Sequence, residues 1–295
     1  MRHRASIPDW LKKSVGKNKA ALRQDESRAT ARALADKNLH TVCVEALCPN
    51  RGECYCRGEA TFLILGDRCT RGCRFCAVSR AKPLPPDPGE PLRVAQTVKK
   101  WNLQFAVLTS PTRDDLPDGG AEHYARAINE IHRLSPQTGT EPLVPDFAGD
   151  AAALETVLNA GPSVLAHNVE TVPSLYAAVR AGADYRRSLK LISRAKKHSP
   201  RIIAKSGLML GLGETKTELR NVFRDLAANG CELLTLGQYL APSKEHFPVQ
   251  RYLEPAEYDE LRAIALTAGL KAVLAGPLVR SSYKAGELYR RLSAG

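Results

Sequence analysis

The chain has 295 residues, 43% of them hydrophobic and 25% charged, and these ordinary values exclude extended disorder and permit a buried core. No apolar run approaches the roughly 18 residues of a membrane helix, and no apolar segment follows Arg2 and Arg4. We therefore expect neither a membrane span nor a secretory signal. The net charge of +12 is uneven, because residues 1–37 hold ten Lys or Arg against four acidic residues. That stretch predicts either a solvated, partly helical extension or a docking surface for an acidic partner.

Seven of the eight cysteines lie within 34 residues and form two groups. The later group, Cys69, Cys73 and Cys76, has the spacing C-x3-C-x2-C. Three thiolates without a fourth do not complete a tetrahedral zinc site. They suit a [4Fe–4S] cluster with one open iron, which can bind a substrate or cofactor.

The earlier group, Cys43, Cys48 and Cys54, has the spacing C-x4-C-x5-C and offers a second set of three thiolates. Its position directly before the later group indicates a shared purpose, and a second cluster is possible there. Cys56 is interpreted as a free, partly buried thiol. Cys231 is predicted to open an apolar strand and to pack as a small hydrophobic side chain.

Strand and helix patterns alternate after residue 60 and predict βαβ units with a parallel sheet. The expected fold class is α/β, as a partial (β/α)6 barrel with N-terminal and C-terminal extensions, and a doubly wound open sheet is the alternative. We expect an extended linker over 81–91. The predicted strands cover 61–65, 105–109, 142–144, 163–166, 202–210 and 231–236, the last clear strand. The predicted helices cover 92–101, 121–134, 151–160 and 214–229, with two more beginning at Val172 and Asp184.

Polar residues follow the ends of these strands, where barrels of this kind collect their chemistry. His167 among them is interpreted as a structural histidine. The glycines of 207–213 favour close backbone approach to a cofactor over a dinucleotide fingerprint. Residues 114–120 predict a turn, with a carboxylate metal site as the alternative. The polar strand ends are Asp67, Thr109, Ser110, Asp146, His167, Asn168, Glu170, Lys205, Ser206, Gln238 and Tyr239.

The C-x3-C-x2-C group, with Phe75 before its last cysteine, resembles the radical S-adenosylmethionine (SAM) superfamily. The earlier cysteine group narrows the resemblance to the lipoyl synthases, and it covers roughly residues 40–285. The motifs that carry it are Cys48-Pro-Asn-Arg-Gly-Glu-Cys54, Ala60–Asp67, Arg113–Gly120, Leu143–Phe147, His167–Pro173, Lys205–Thr215, Gly237–Tyr239 and Gly276–Tyr283.

The resemblance implies that Cys69, Cys73 and Cys76 hold the cluster that binds and reductively cleaves SAM. The radical so formed would take hydrogen from an octanoyl chain, chemistry that a cofactor must supply. Cys43, Cys48 and Cys54 would hold an auxiliary [4Fe–4S] cluster that donates sulfur at C6 and C8. Its fourth ligand would be Ser282, with Ser281 as the alternative. Asn168, Glu170 and Arg280 are expected around SAM.

The implied partners are an octanoylated, acidic lipoyl carrier domain, a reductant such as flavodoxin or ferredoxin, and an iron–sulfur cluster carrier. No membrane and no nucleic acid is expected, and the location is expected to be cytoplasmic. The implied domains are an N-terminal extension (1–60), the barrel (61–270) and a C-terminal extension (271–295). Departures from the family pattern stand at Tyr55 and Cys56 and at residues 110–112.

Three alternatives compete with this interpretation. Biotin synthase also inserts sulfur, but the ligands of its auxiliary cluster do not have this N-terminal spacing. A methylthiolase acting on tRNA would explain the basic charge, but it needs an additional RNA-binding module. A zinc-stabilised nucleic-acid-binding protein would need a fourth ligand near each cysteine group. It would not need a barrel after the cysteines.

Overall fold

A computed structural model describes residues 6–293, so Arg2 and Arg4 of the basic N-terminal stretch lie outside the described residues. The chain forms two compact units. The N-terminal unit comprises 8–70 and 77–162, and the C-terminal unit comprises 71–76 and 163–293 together with 6–7. No helix within 6–293 is long and apolar enough to cross a bilayer.

The N-terminal unit is built on three parallel strands with an antiparallel edge strand. The crossover helices bury one apolar face, as helices between parallel strands must. The strands are β1 (His40–Thr41), β2 (Thr61–Leu63), β3 (Phe105–Thr109) and β4 (Gly139–Leu143). The helices are α1 (Asp9–Ala21), α2 (Asp25–Ala35), α3 (Val42–Glu45), α4 (Arg51–Cys56), α5 (Glu90–Lys100), α6 (Ala121–Leu134) and α7 (Ala151–Asn159).

The first two helices pack against α4, the short helix that carries Cys54 and Cys56. The side chain of Thr30 in α2 donates a 2.8 Å hydrogen bond to the carbonyl of Tyr55. Gly52 of α4 approaches α1 so closely that a Cβ atom there would lie 2.0 Å from the carbonyl oxygen of Asn18. The predicted helical character of the N-terminal stretch is confirmed, and its helices support the cysteine-bearing segment.

The C-terminal unit has four strands, all parallel to their sequence neighbours. One apolar core lies between the strands Ile203–Leu210 and Leu233–Gln238 and the helices on them, and it contains Phe223, Leu234 and Tyr258. The strands are β5 (Val164–Ala166), β6 (Ile203–Leu210), β7 (Leu233–Gln238) and β8 (Ala272–Gly276). The helices are α8 (Tyr176–Val179), α9 (Tyr185–His198), α10 (Lys216–Ala228), α11 (Pro255–Thr267) and α12 (Ala285–Ser293).

Most predicted elements are confirmed, and the differences have physical causes. The predicted helix 214–229 begins only at Lys216, because Glu214 turns back to accept the backbone N–H groups of Gly211 and Leu212. The expectation that the strand series ends at residue 236 is wrong, since β8 follows and pairs with β7. Cys231 lies two residues before β7 and packs in the core as expected.

Candidate active site

The earlier cysteine group lies entirely in the N-terminal unit, on short elements between β1 and β2. Cys43 belongs to α3, Cys54 belongs to α4, and Cys48 lies in the turn between them. The backbone N–H of Cys48 donates to the carbonyl of Cys43 at 3.2 Å. Leu47 adopts a positive φ of 51° to close this turn. Local backbone geometry therefore folds Cys48 back toward Cys43.

Electrostatics link the three thiols. Burial raises the pKa of Cys43 to about 12, and the neighbouring Cys48 adds to the shift. Burial likewise raises the pKa of Cys54 to about 12, with Cys43 and Cys48 contributing. Because burial and neighbouring thiolates both oppose ionisation, Cys43 and Cys54 ionise readily only beside a cationic centre. Thiolates are the usual ligands of iron–sulfur clusters, so the residue types of this group suit such a cluster.

Cys56 is not part of this group. Its thiol donates to the side-chain oxygen of Gln24 at 3.1 Å and to the carbonyl of Ala21 at 3.5 Å. Tyr55, which departs from the expected family pattern, is buried and shares a 2.8 Å hydrogen bond with Thr41. Cys56 is partly buried, as expected, and its interpretation as a thiol that binds no cluster stays a prediction.

Cys69 lies in the loop that follows β2, and this loop is held by buried polar groups. Leu65 has a positive φ of 69°. Its N–H donates to Glu90 at 2.8 Å, and its carbonyl accepts from Arg113 at 2.9 Å. Farther along the loop, the Cys69 sulfur accepts the N–H of Thr112 at 3.3 Å. Arg113 is thus a structural anchor that sequence reasoning quoted as a motif residue without giving it a role.

Cys73 and Cys76 belong to the C-terminal unit and lie in a tight turn. The N–H of Cys76 donates to the carbonyl of Cys73 at 3.2 Å. The carbonyl of Arg74 accepts from Phe247, and a ring nitrogen of His246 lies 3.1 Å from the carbonyl of Cys76. The backbone of this segment is therefore fixed, while both cysteine side chains are partly exposed.

A polar network lies at the end of β5 in the C-terminal unit. The Asn168 amide donates to Glu170 at 3.0 Å and to the Ser281 hydroxyl at 2.6 Å. Its carbonyl oxygen is buried and has no hydrogen-bond partner among residues 6–293. Gly207 leaves a cradle beside it, because a Cβ there would lie 2.8 Å from that oxygen. An orphaned acceptor beside such a cradle fits a ligand that carries an ammonium or hydroxyl donor.

Glu170 is held in a strained backbone conformation, with a φ of 65°. Its N–H donates to the carbonyl of Gly207, and its own carbonyl accepts from Met209. Burial raises the pKa of Glu170 above its ordinary value, although Arg180 and the Asn168 amide act in the opposite direction. Arg180 is a second residue that sequence reasoning missed. It also bonds to the Tyr176 hydroxyl at 3.1 Å.

The two serines before Tyr283 differ in their surroundings. Ser281 is engaged by Asn168, whereas the Ser282 side chain makes no hydrogen bond with any residue the structure describes. Arg280 donates to the carbonyl of Val279 at 2.7 Å and lies beside Gly237. The structure thus groups Asn168, Glu170 and Ser281, whereas Arg280 bonds to the backbone of the turn after β8.

Several other predicted polar residues have structural roles. His167 is buried, and its ring nitrogen lies 2.9 Å from the Ser188 hydroxyl, as expected of a structural histidine. The Gln238 side chain bonds to several backbone groups and to a tyrosine hydroxyl. Asp118 accepts two N–H groups at the start of α6, which confirms the predicted turn. No three His, Cys, Asp or Glu side chains within 6–293 have the mutual spacing of metal ligands.

Comparison with known proteins places this site in context. The family model described as the radical SAM superfamily matches residues 63–226. The chain is 51% identical over 280 residues to the lipoyl synthase of Caldicellulosiruptor saccharolyticus, covering 95% of this chain and 96% of that protein. It is 54% identical over 279 residues to the lipoyl synthase of Trichlorobacter lovleyi, covering 94% of this chain and 96% of that protein.

A solved structure supports the fold. Methylornithine synthase is similar with a TM-score of 0.55 at 13% identity, over 91% of this chain and 84% of that chain. The expected α/β partial barrel of the radical SAM type is therefore confirmed.

Proposed function

The chain belongs to the lipoyl synthase family of the radical SAM superfamily, and on that premise we propose how its residues divide the reaction. Lipoyl synthase inserts two sulfur atoms at C6 and C8 of a protein-bound octanoyl chain. SAM and [4Fe–4S] clusters are its cofactors. The assignment of individual residues to these groups is our proposal, and the buried, orphaned oxygen of Asn168 is the observation that carries the SAM site.

Cys69, Cys73 and Cys76 are assigned to the cluster that binds SAM. When bound, that cluster supplies the electron that cleaves SAM and so starts hydrogen removal from the octanoyl chain. The chain supplies a fixed backbone for these ligands. Residues of the N-terminal unit hold the loop around Cys69, and Phe247 with His246 holds the turn of Cys73 and Cys76.

Asn168 and Glu170 are assigned to SAM recognition, with Arg280 as a further candidate. The free lone pairs of the Asn168 oxygen accept a donor from SAM, and the Gly207 cradle leaves room for it. Arg180 faces Glu170 and favours its charged form. We expect Asn168→Ala to weaken SAM binding about tenfold, because the ligand's donor would lose its partner. Calorimetric titration of SAM into the reconstituted protein measures this, and unchanged affinity would contradict the assignment.

Cys43, Cys48 and Cys54 are assigned to the auxiliary cluster, which supplies the sulfur atoms when bound. We assign Ser282 as its fourth ligand. Ser281 is already engaged by Asn168 at 2.6 Å, while the Ser282 hydroxyl is uncommitted among the described residues. A hard oxygen ligand bonds less strongly to cluster iron than a thiolate does, which suits a cluster that must give up sulfur.

Family membership suggests the macromolecular partners of the reaction. We propose an octanoylated lipoyl carrier domain as substrate, flavodoxin or ferredoxin as reductant, and an iron–sulfur cluster carrier that rebuilds the auxiliary cluster. A cytoplasmic location is part of the same proposal. The domain division into 1–60, 61–270 and 271–295 remains a prediction.

The first experiment is anaerobic reconstitution followed by iron, sulfide and zinc analysis and an assay with SAM and an octanoyl-lysine peptide. We expect about eight iron and eight sulfide per chain, as two four-iron clusters, with a lipoyl product. Zinc without sulfide would refute the proposal. About four iron would leave SAM cleavage but remove the sulfur-donating half.

The matched pair Ser282→Ala and Ser281→Ala tests the fourth ligand. Ser282→Ala should change the Mössbauer signature of the auxiliary cluster and lower sulfur insertion while SAM cleavage continues. Ser281→Ala should leave that signature as in the wild type, since its partner is Asn168. The opposite pattern would assign the ligand to Ser281.

A further inference from the structure

Helix α9 carries an unusual concentration of positive charge. Its 14 residues contain six Lys or Arg side chains and no carboxylate. The other long helices of the C-terminal unit, α10 and α11, mix both signs. Lysines and arginines of one sign on one element create a field that attracts anionic partners.

The basic side chains of α9 share one face. At about 100° per residue, Arg186, Lys190, Arg194 and Lys197 fall within an arc of roughly 80°. The buried residues, which include Leu191, Ile192 and Ala195, lie on the other side of the helix. Arg201 lies three residues beyond the helix end. We call Arg186, Lys190, Arg194 and Lys197 the basic face.

Most of this charge is unneutralised. Arg186, Lys190, Lys197 and Arg201 are exposed, and none forms an ion pair or hydrogen bond with any residue between 6 and 293.

Three carboxylates near α9 bond to groups outside the basic face. Asp184 caps the helix through the N–H of Arg187, and Asp225 accepts from the Tyr185 hydroxyl. Glu232 pairs with Lys196 and with Lys271, at 2.7 and 2.6 Å.

The helix begins next to a cysteine-bearing segment of the candidate site. The N–H of Arg74, which lies between Cys73 and Cys76, donates to the carbonyl of Val179 at 2.8 Å. Gly182, in the turn that leads into α9, lies against the side chain of Arg71. The segment that leads into α9 therefore contacts the turn of Cys73 and Cys76, so the N-terminal end of the basic face is the end nearer to these cysteines in the chain.

We propose that the basic face of α9 is the docking surface for the acidic carrier domain that presents the octanoyl chain. The proposal rests on the proposed function, which requires a protein-borne substrate. Charge complementarity supplies orientation and a fast encounter, while the acyl chain itself is recognised in the site. A small octanoyl-lysine peptide without the carrier domain does not need this surface.

The test compares two double reversals that change the charge by the same amount. Lys190→Glu with Lys197→Glu alters the basic face, and Arg220→Glu with Arg224→Glu alters exposed residues of α10 that also have no described partner. Binding of a fluorescently labelled octanoyl carrier domain to the reconstituted enzyme is measured by anisotropy. Turnover is measured with the carrier domain and with the peptide.

We expect the α9 variant to weaken carrier binding by about tenfold or more, as reversed charges replace attraction with repulsion. Its turnover of the peptide should match the wild type, and added salt should weaken carrier binding to the wild type more than to the variant. The α10 variant should behave as the wild type in every assay.

Equal carrier affinity in the two variants would overturn the docking proposal. Loss of binding to anionic vesicles or RNA, with carrier affinity intact, would overturn it in favour of a different partner. If the wild type fails to convert even the peptide, the proposed function fails. The anisotropy measurement still decides the docking surface in that case.

Discussion

Gly52→Ala tests the support that the N-terminal helices give to the auxiliary cysteines. Replacement of a helical glycine by alanine ordinarily stabilises a helix by up to about 1 kcal/mol. Here the new Cβ would lie 2.0 Å from the Asn18 carbonyl oxygen and 3.0 Å from the Cβ of Ala21. Since such contacts do not occur below about 3.0 Å, α1 and α4 must separate by at least about 1 Å. Overpacking of this kind costs about 1–3 kcal/mol.

We therefore expect Gly52→Ala to lower the free energy of unfolding by about 1–2 kcal/mol, opposite in sign to helix propensity. Chemical denaturation followed by circular dichroism measures this. Because α4 carries Cys54, reconstituted protein should also contain less iron, approaching four atoms per chain as the auxiliary cluster is lost. The cluster bound by the later cysteines should remain.

Gly16→Ala is the matched control, because Gly16 lies in α1 with no atom within 4 Å of a new Cβ. It should stabilise the protein by up to about 1 kcal/mol and leave the iron content unchanged. If Gly52→Ala is as stable as Gly16→Ala and retains the same iron, the close packing of α1 on α4 is refuted.

Two further predictions concern stability and ligand choice. Burial opposes ionisation of Glu232, but its ion pairs with Lys196 and Lys271 hold its pKa below the ordinary value. Glu232→Gln should therefore cost about 1 kcal/mol near neutral pH, a solvent-screened value. That difference should shrink as the pH falls below about 4.5, where the wild type loses the pairs; a difference independent of pH in urea titrations would refute this. Cys56→Ser should retain the full iron content, whereas Cys54→Ser should lose the auxiliary cluster, and equal iron loss in the two variants would show that Cys56 is a ligand.

The main elements of the fold could be predicted because their patterns are local. Strand 105–109 and helix 121–134 have the predicted bounds, since a short apolar run defines the strand and the Gly119-Gly120 pair directly precedes the helix. The strand at 272–276 was missed because its five residues, Ala-Val-Leu-Ala-Gly, are short and weakly patterned. Its pairing with β7 depends on tertiary contact that no local window contains.

For the candidate site, sequence spacing identified residue types but not their surroundings. The hydrogen bond between Asn168 and Ser281 joins residues 113 positions apart, and no periodicity predicts such a contact. Arg180 acts on Glu170 through space and belongs to no quoted motif. The basic N-terminal stretch was predicted from charge alone as solvated or docking surface. Its packing against α4 depends on Gly52, which has no side chain to collide with Asn18. The sequence alone does not show that these two residues are neighbours.

The contact between α1 and α4 also bears on the order in which parts of the chain can fold during synthesis. All its residues lie within the first 56 positions, so the helices can meet as soon as that stretch leaves the ribosome. Ser281 follows 225 residues after Cys56, a delay of roughly 10–45 s at about 5–20 residues per second. The segment with the earlier three cysteines therefore has its helical support tens of seconds before the ribosome has added the serines that our proposal requires.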